Sequence, residues 1–331
     1  MKNILKNVFV IIGTIIGAGF ASGKEVYIFF SKYGFNGLIG ILISTGIFFI
    51  VIWKVLEVSK KQNIKNYNEI KMNSQIKHIM TIFLLTTFYI MIAGFSAFIN
   101  QEFDISIIIG SIIIASMCYI TFTKGVDGIV KVNTVLIPVL IIVLIHTCYK
   151  NVDSEVVKIL FETSNKSSGT IQSVSWIISC LQYVGYNSII LIPILLNLKK
   201  EKSKYSNMLV SLISSIIFGV MAVGIHILLL KSSQSQLQLE IPIIGLISNY
   251  GKIYKYIFQI IIVIAIYTSA ISAGYGFIKS ISNGEKYIKI ICMSSIFISF
   301  IGFTYLVQIL YPVFGILGLI QIYFITSKYN N

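Results

Sequence analysis

The sequence has no arginine, little charge of either sign, and only four cysteines, four prolines, three histidines and two tryptophans among 331 residues. Each scarcity removes a class of protein. Charged residues make up 11% of the chain, against about 25% in soluble domains, too few to clothe a water-exposed surface. Without arginine there is no planar guanidinium for bidentate readout of guanine or phosphate, so the net charge of +14 does not describe a nucleic-acid binder. Cys118, Cys148, Cys180 and Cys292 are far apart, mostly inside apolar blocks, with neither a metal spacing nor a disulfide framework, and read as small core residues. His78, His146 and His226 are equally scattered and read as structural. No His/Glu cluster, paired aspartates, or Ser–His or Ser–Lys arrangement occurs at usable spacing, which argues against an intramembrane enzyme. The lack of a repeated filter sequence or charged ring argues against a channel.

What is present is apolar: 56% of residues are hydrophobic, gathered in blocks of about twenty, the length needed to cross about 30 Å of hydrocarbon. The blocks predict an all-α polytopic membrane protein of about ten spans, near 5–31, 35–57, 78–100, 105–122, 128–148, 170–197, 206–230, 252–280, 287–303 and 305–326. The first run continues to Phe30 without a small-residue cleavage site, which reads as a retained helix. Ile241–Tyr250 is apolar but too short to span, and is expected to be a re-entrant or surface helix on the outer face. With the N-terminus inside, the cytoplasmic segments hold 18 lysines and 5 acidic residues, while the outer segments hold 7 lysines and 6 acidic residues. This positive-inside pattern puts both termini in the cytoplasm and the protein in a bacterial inner membrane, with the bilayer as its first partner. The oligomeric state stays open.

Four glycines fall within eleven residues of span 1, in Gly13-Thr14-Ile15-Ile16-Gly17-Ala18-Gly19-Phe20-Ala21-Ser22-Gly23, followed by Lys24 and Glu25. Each glycine weakens a helix by about 1 kcal/mol relative to alanine, and unwound backbone at membrane depth is tolerated only in protein or along a cavity. A break at Gly17, Ala18 and Gly19 would free N–H groups for an anion such as a carboxylate and C=O groups for a cation. Gly13 and Gly17 could alternatively form a small-xxx-small packing face. Five spans later, Tyr183, Gly185, Tyr186 and Asn187 interrupt span 6, with Gln182 beside them and Pro193 beyond. Polar residues there are costly unless they face a polar cavity, and interrupted spans at matching positions of two halves point to an inverted-repeat transporter. Tyr89 in span 3 and Tyr186 could cover a solute with an apolar face and a polar tip, although a place in the interfacial aromatic belt is the plainer reading of any single tyrosine.

The string Gly13–Gly19 resembles the first-helix signature of the amino acid/polyamine/organocation superfamily, and its extension through Glu25 resembles the YkvI-like branch of uncharacterised bacterial membrane proteins. Ala93-Gly94-Phe95-Ser96-Ala97 and Tyr183-Val184-Gly185-Tyr186-Asn187 are similar to that branch too. The resemblance implies one transmembrane domain over 1–331 with a LeuT-type 5+5 inverted repeat, its halves near 5–148 and 170–326, and spans 1 and 6 broken at the midplane. It also implies a sodium site: a carbonyl at Ala265 with hydroxyls at Thr268 and Ser269 in span 8, completed by the carbonyls of Ile15 and Ala18. Against this, Thr268 and Ser269 could simply bond back to carbonyls one turn earlier. Proton-coupled relatives can place a lysine of span 5 in that site. Here span 5 has none between Val132 and Ile145, although Lys131 sits at its end.

Lys24 and Glu25, ionisable inside a span, are candidates for an outer gate or a proton site; snorkelling to the interface is the alternative. The expected function is secondary active transport of a small organic solute, an amino acid or related carboxylate, coupled to sodium and without a further cofactor. Proton coupling and a non-transporting sensor of the same fold are the alternatives.

Overall fold

Long apolar blocks in lipid must satisfy their backbone polar groups internally, and helices do this within one segment. The computed structural model follows that rule; it describes residues 2–61, 74–124, 138–147, 149, 172–198, 204–247 and 251–328. Lys131, Cys148 and the start of span 5 lie outside the described residues. Span 1 is divided into α1 (Lys2–Ile15), α2 (Ala18–Ala21) and α3 (Lys24–Phe29). Spans 2, 3 and 4 are α4 (Phe35–Lys61), α5 (Ser74–Phe103) and α6 (Ile107–Lys124), and α7 (Pro138–Thr147) is the described part of span 5. Spans 6 and 7 are α8 (Gln172–Asn197) and α9 (Lys204–Leu230). Two short helices, α10 (Gln234–Gln238) and α11 (Pro242–Ile247), lead to α12 (Lys252–Ser280), which is span 8. Span 9 is α13 (Ile288–Ile298) with a 3-10 turn at Ser299–Ile301, and span 10 is α14 (Phe303–Lys328).

Seven helices among the described residues are long and apolar enough to cross a membrane: α4, α5, α6, α8, α9, α12 and α14. Of the ten spans expected, span 1 is divided, span 5 is described only in part, and span 9 holds an 11-residue helix. The outward faces carry large exposed apolar side chains such as Ile142, Ile260 and Phe297. In water these would form a large sticky patch; in a bilayer they meet lipid.

Two groups of helices pack together. In one, α1 lies on α8 and α9, and α4 lies on the same two helices. In the other, α5 packs on α6, α12 and α13, and α6 also meets α12 and α13. Helix α14 runs along α8 and touches α4 and α5, while α2 bridges the groups by packing against α12 and α5. Spans 1, 2, 6 and 7 thus form one group and spans 3, 4, 8 and 9 the other.

Span 6 differs from the expectation. Helix α8 is continuous from Gln172 to Asn197, so span 6 is not broken at Gly185. The glycine serves close packing instead: a Cβ at Gly185 would collide with the carbonyl oxygen of Gly315 in α14, and one at Gly318 with the carbonyl oxygen of Gly185. The polar residues beside it stay helical by bonding back one turn, with Asn187 Nδ2 donating to the Tyr183 carbonyl (3.0 Å) and Ser188 Oγ to that of Val184 (2.7 Å). Within Ile241–Tyr250, the described residues form α11, which is buried and not a surface helix; the Ile243 N–H donates to the Ser22 carbonyl (3.2 Å) and so fixes α11 on the divided span.

Candidate functional site

The break in span 1 has two steps. Gly17 is extended (φ −89°, ψ −171°) and separates α1 from α2; Gly23 is left-handed (φ 81°, ψ −7°) and separates α2 from α3. Glycine is the residue that enters the left-handed region without a Cβ penalty. Unwinding is therefore narrower than expected: Ala18 and Gly19 already belong to the single turn of α2. The amide groups of Ala18, Gly19 and Phe20 have no backbone acceptor among the described residues, while Ala21 N–H returns to the Gly17 carbonyl (3.0 Å) and Ser22 N–H to that of Ala18 (2.9 Å).

On the α12 side, Ser269 faces the break: a Cβ at Gly17 would sit 3.7 Å from its Oγ. Thr268, one residue earlier, donates its hydroxyl to the carbonyls of Ile264 (2.9 Å) and Ala265 (3.2 Å). That is the back-bonded arrangement, and it leaves the oxygen lone pairs of Thr268 available. Ile15, Ala18 and Ala265 are all buried. Helix α2, which holds Ala18, packs on α12, which holds Ala265, Thr268 and Ser269.

Lys24 and Glu25 open α3 and are both buried, at 2% and 5% exposure, so neither snorkels. They diverge. Lys24 Nζ donates to the Leu239 carbonyl (2.7 Å) and more distantly to that of Leu237 (3.5 Å), tying the α10–α11 connection to the divided span. Glu25 turns back: its carboxylate lies against Gly19, where any Cβ would collide with Oε1, and Oε2 accepts a hydrogen bond from the Tyr186 hydroxyl (2.5 Å). The chain's own carboxylate occupies the place next to Gly19 that the sequence assigned to a solute carboxylate.

An aromatic cluster surrounds this pair. Tyr186 stacks on Tyr311 (ring centroids 4.5 Å) and on Phe29 (5.5 Å). Tyr183 meets Tyr186 edge-on at 5.4 Å, packs among Phe30, Phe48 and Phe218, and is fully buried. Tyr89 does not join the cluster, because its hydroxyl pairs with Ser294 Oγ of α13 (2.8 Å). A cavity of about 600 Å³ opens between α3, α8 and the start of α14, bordered by Phe29, Lys32, Ser179, Gln182, Gln308 and Pro312. Phe29, which borders the cavity, also stacks on Tyr186.

Sequence reasoning set Gly17, Gly19 and Tyr186 at one solute site and Glu25 at an outer gate or proton site, but did not set Glu25 against Gly19 and Tyr186. It missed Phe29, Tyr311 and the α10–α11 connection. The pair Gly315 and Gly318 in span 10 was a small-residue signal that could have identified the partner of Gly185. Among the described residues no group of three or more His, Cys, Asp or Glu side chains gathers to hold a metal ion.

These features define a helical membrane protein whose first span is broken against its eighth. No family model matches the chain. It is similar to the uncharacterized membrane protein YkvI of Bacillus subtilis (strain 168), 29% identical over 328 residues that cover 94% of this chain and 92% of that one. It is also similar to the uncharacterized protein YyaD of the same organism, 25% identical over 347 residues and 98% of each. Among solved structures, two variants of the Eremococcus coleocola manganese transporter align over 97% of this chain and 70% of theirs, at a TM-score of 0.50 and 13% identity. That likeness is one of fold.

Proposed function

We propose that the protein is a secondary active transporter of a small organic solute, working by alternating access and coupled to sodium. The observation that carries this reading is the divided span 1 packed against α12, with Ser269 Oγ facing Gly17. Backbone that leaves its helix inside a membrane needs a function or a partner; here the Ser269 hydroxyl faces it at Gly17, and the proposed oxygen set of Ile15, Ala18, Ala265, Thr268 and Ser269 carries no formal charge. Such a set suits a monovalent ion that must bind and leave in each cycle; a divalent ion generally recruits carboxylates. Manganese, the cargo for which the structural neighbour is named, is therefore not assigned to this chain.

The grouping of spans 1, 2, 6 and 7 apart from spans 3, 4, 8 and 9 supports a LeuT-type inverted repeat, with halves near 5–148 and 170–326. The groups α1, α4, α8, α9 and α5, α6, α12, α13 are then the bodies that rock against each other. Lysine asymmetry supports a cytoplasmic-membrane location with both termini inside. Proton coupling is a second reading, favoured by the buried Glu25 carboxylate.

The test is accumulation in proteoliposomes under an inward sodium gradient, with a panel of amino acids and amines. Uptake of at least one solute, abolished by Gly19→Ala, is expected, since the new Cβ displaces Glu25. Binding of solutes without accumulation of any of them would replace the transporter by a sensor of the same fold.

A further inference from the structure

The cavity of about 600 Å³ between α3, α8 and the start of α14 is separate from the break in span 1: neither Gly17, Gly19 nor Glu25 borders it. Its volume falls within the range of about 300–1,000 Å³ usual for ligand pockets. Lys32 is the one charged side chain among the described residues that line it. Lys32 forms no ion pair with a described residue; its ammonium lies over the ring of Tyr33, 4.9 Å from the centroid, in the same wall. With both termini inside, Lys32 sits in the 3-10 turn Ser31–Tyr33 at the outer end of span 1, where the positive-inside rule calls for no lysine. Lys255, also on the outer side, is accounted for by its pair with Glu102 (2.7 Å). Lys32 has no such partner.

Two carboxamides complete the polar part of the lining. Gln182 in α8 and Gln308 in α14 border the cavity, and neither side chain hydrogen-bonds to another described residue. Gln101, Gln259 and Gln321, in other parts of the spans, all do. A polar side chain inside a span is costly unless something polar meets it. Ammonium and amide N–H groups around one space form a donor set for an anion. The space holds more than a bare ion, since the α8 wall from Ser175 to Gln182 runs about 10 Å along the helix. Phe29 and Pro312 add apolar surface for an organic body. Because an amide lies at that depth, a soluble molecule suits the cavity better than a lipid chain.

We propose that this cavity binds a small organic monoanion, a monocarboxylate, with Lys32 as its counter-charge and Gln182 and Gln308 as hydrogen-bond donors to it. One ammonium balances one negative charge, which favours monocarboxylates over dicarboxylates and phosphate. The site rests on its own lining and holds whether or not the chain transports what it binds.

The test is titration calorimetry on the purified full chain in an uncharged detergent. The probes are 3-phenylpropionate with 3-phenylpropionamide, butyrate with butyramide, and dihexanoylphosphatidylglycerol as a soluble lipid headgroup. The variants are Lys32→Gln, Lys32→Arg, Gln308→Leu and, at another outer lysine, Lys252→Gln. We expect at least one carboxylate to bind, and its amide to bind on the order of tenfold more weakly. Lys32→Gln weakens carboxylate binding on the order of tenfold and Gln308→Leu about twofold to tenfold, while Lys32→Arg keeps most of it and Lys252→Gln leaves it unchanged. Thermal unfolding of each variant without probe reports folding, and the comparison of acid with amide in the parent needs no variant. No carboxylate binding, equal binding of acid and amide, or equal carboxylate affinity in a folded Lys32→Gln variant would each overturn the proposal. So would an equal loss in Lys252→Gln, or Lys32-dependent binding of the phosphatidylglycerol in place of the carboxylates, which would assign the cavity to lipid headgroups.

Discussion

At Glu25 a buried carboxylate and a buried phenol hold each other, with exposures of 5% and 4%. A hydrogen bond to an ionised partner is worth about 1.5–3 kcal/mol when one side is removed, because the other stays desolvated. Tyr186→Phe should therefore lower stability by about 1.5–3 kcal/mol in chemical unfolding in detergent. The double variant with Glu25→Gln should lose much less than the two single losses combined. Additive losses would mean that the pair is not coupled. The sequence made the residue types legible here but not their meeting. Glu25 and Tyr186 each stood out as polar groups inside apolar spans, yet span 1 and span 6 carry no local signal of facing each other. On sequence Tyr186 is the better candidate of the two because it adjoins the interrupted segment of span 6, and the packing of α5 beside α13 turns Tyr89 to Ser294.

Elements show the same division between local and non-local information. Gly17 and Gly23 divide span 1 as glycine-rich sequence at membrane depth suggests, because extended and left-handed backbone is a local property. Gly185 carried a similar local signal with the opposite outcome, since its reason lies in Gly315 and Gly318, far along the chain. A Gly185→Ala substitution should destabilise the α8–α14 contact by about 1–3 kcal/mol, the range for overpacking. Gly46→Ala, with nothing within 4 Å of the new Cβ, should be neutral or stabilising by up to about 1 kcal/mol. Similar thermal unfolding of the two variants would argue against close packing at Gly185. The α10–α11 connection depends on Lys24 for two carbonyl contacts. Lys24→Met should speed amide hydrogen exchange across residues 234–247 while exchange in α8 stays unchanged. Unchanged exchange in that segment would mean that Ile243 and Gln101 hold the connection without Lys24.

For the whole molecule, composition and block length were enough to read a polytopic helical membrane protein, because the bilayer imposes its length and polarity on every span. The grouping of spans 1, 2, 6 and 7 apart from spans 3, 4, 8 and 9 emerges only in three dimensions, and the divided span 1 lies between the groups, with α1 on α8 and α9 and α2 on α12 and α5. Ion binding at that junction would link the groups energetically, since α2 touches α12 while α3 touches α8, α9 and α14. The most direct measurement is thermal unfolding of the purified protein in sodium against choline buffer at equal ionic strength, for the parent and Ser269→Ala. An ion that binds only the folded state, at 100 times its dissociation constant, adds about 2.7 kcal/mol. Stabilisation by sodium in the parent and its loss in Ser269→Ala is the predicted result. Identical unfolding of the parent in the two salts would contradict a sodium site at the α2–α12 junction and, with it, sodium-coupled transport.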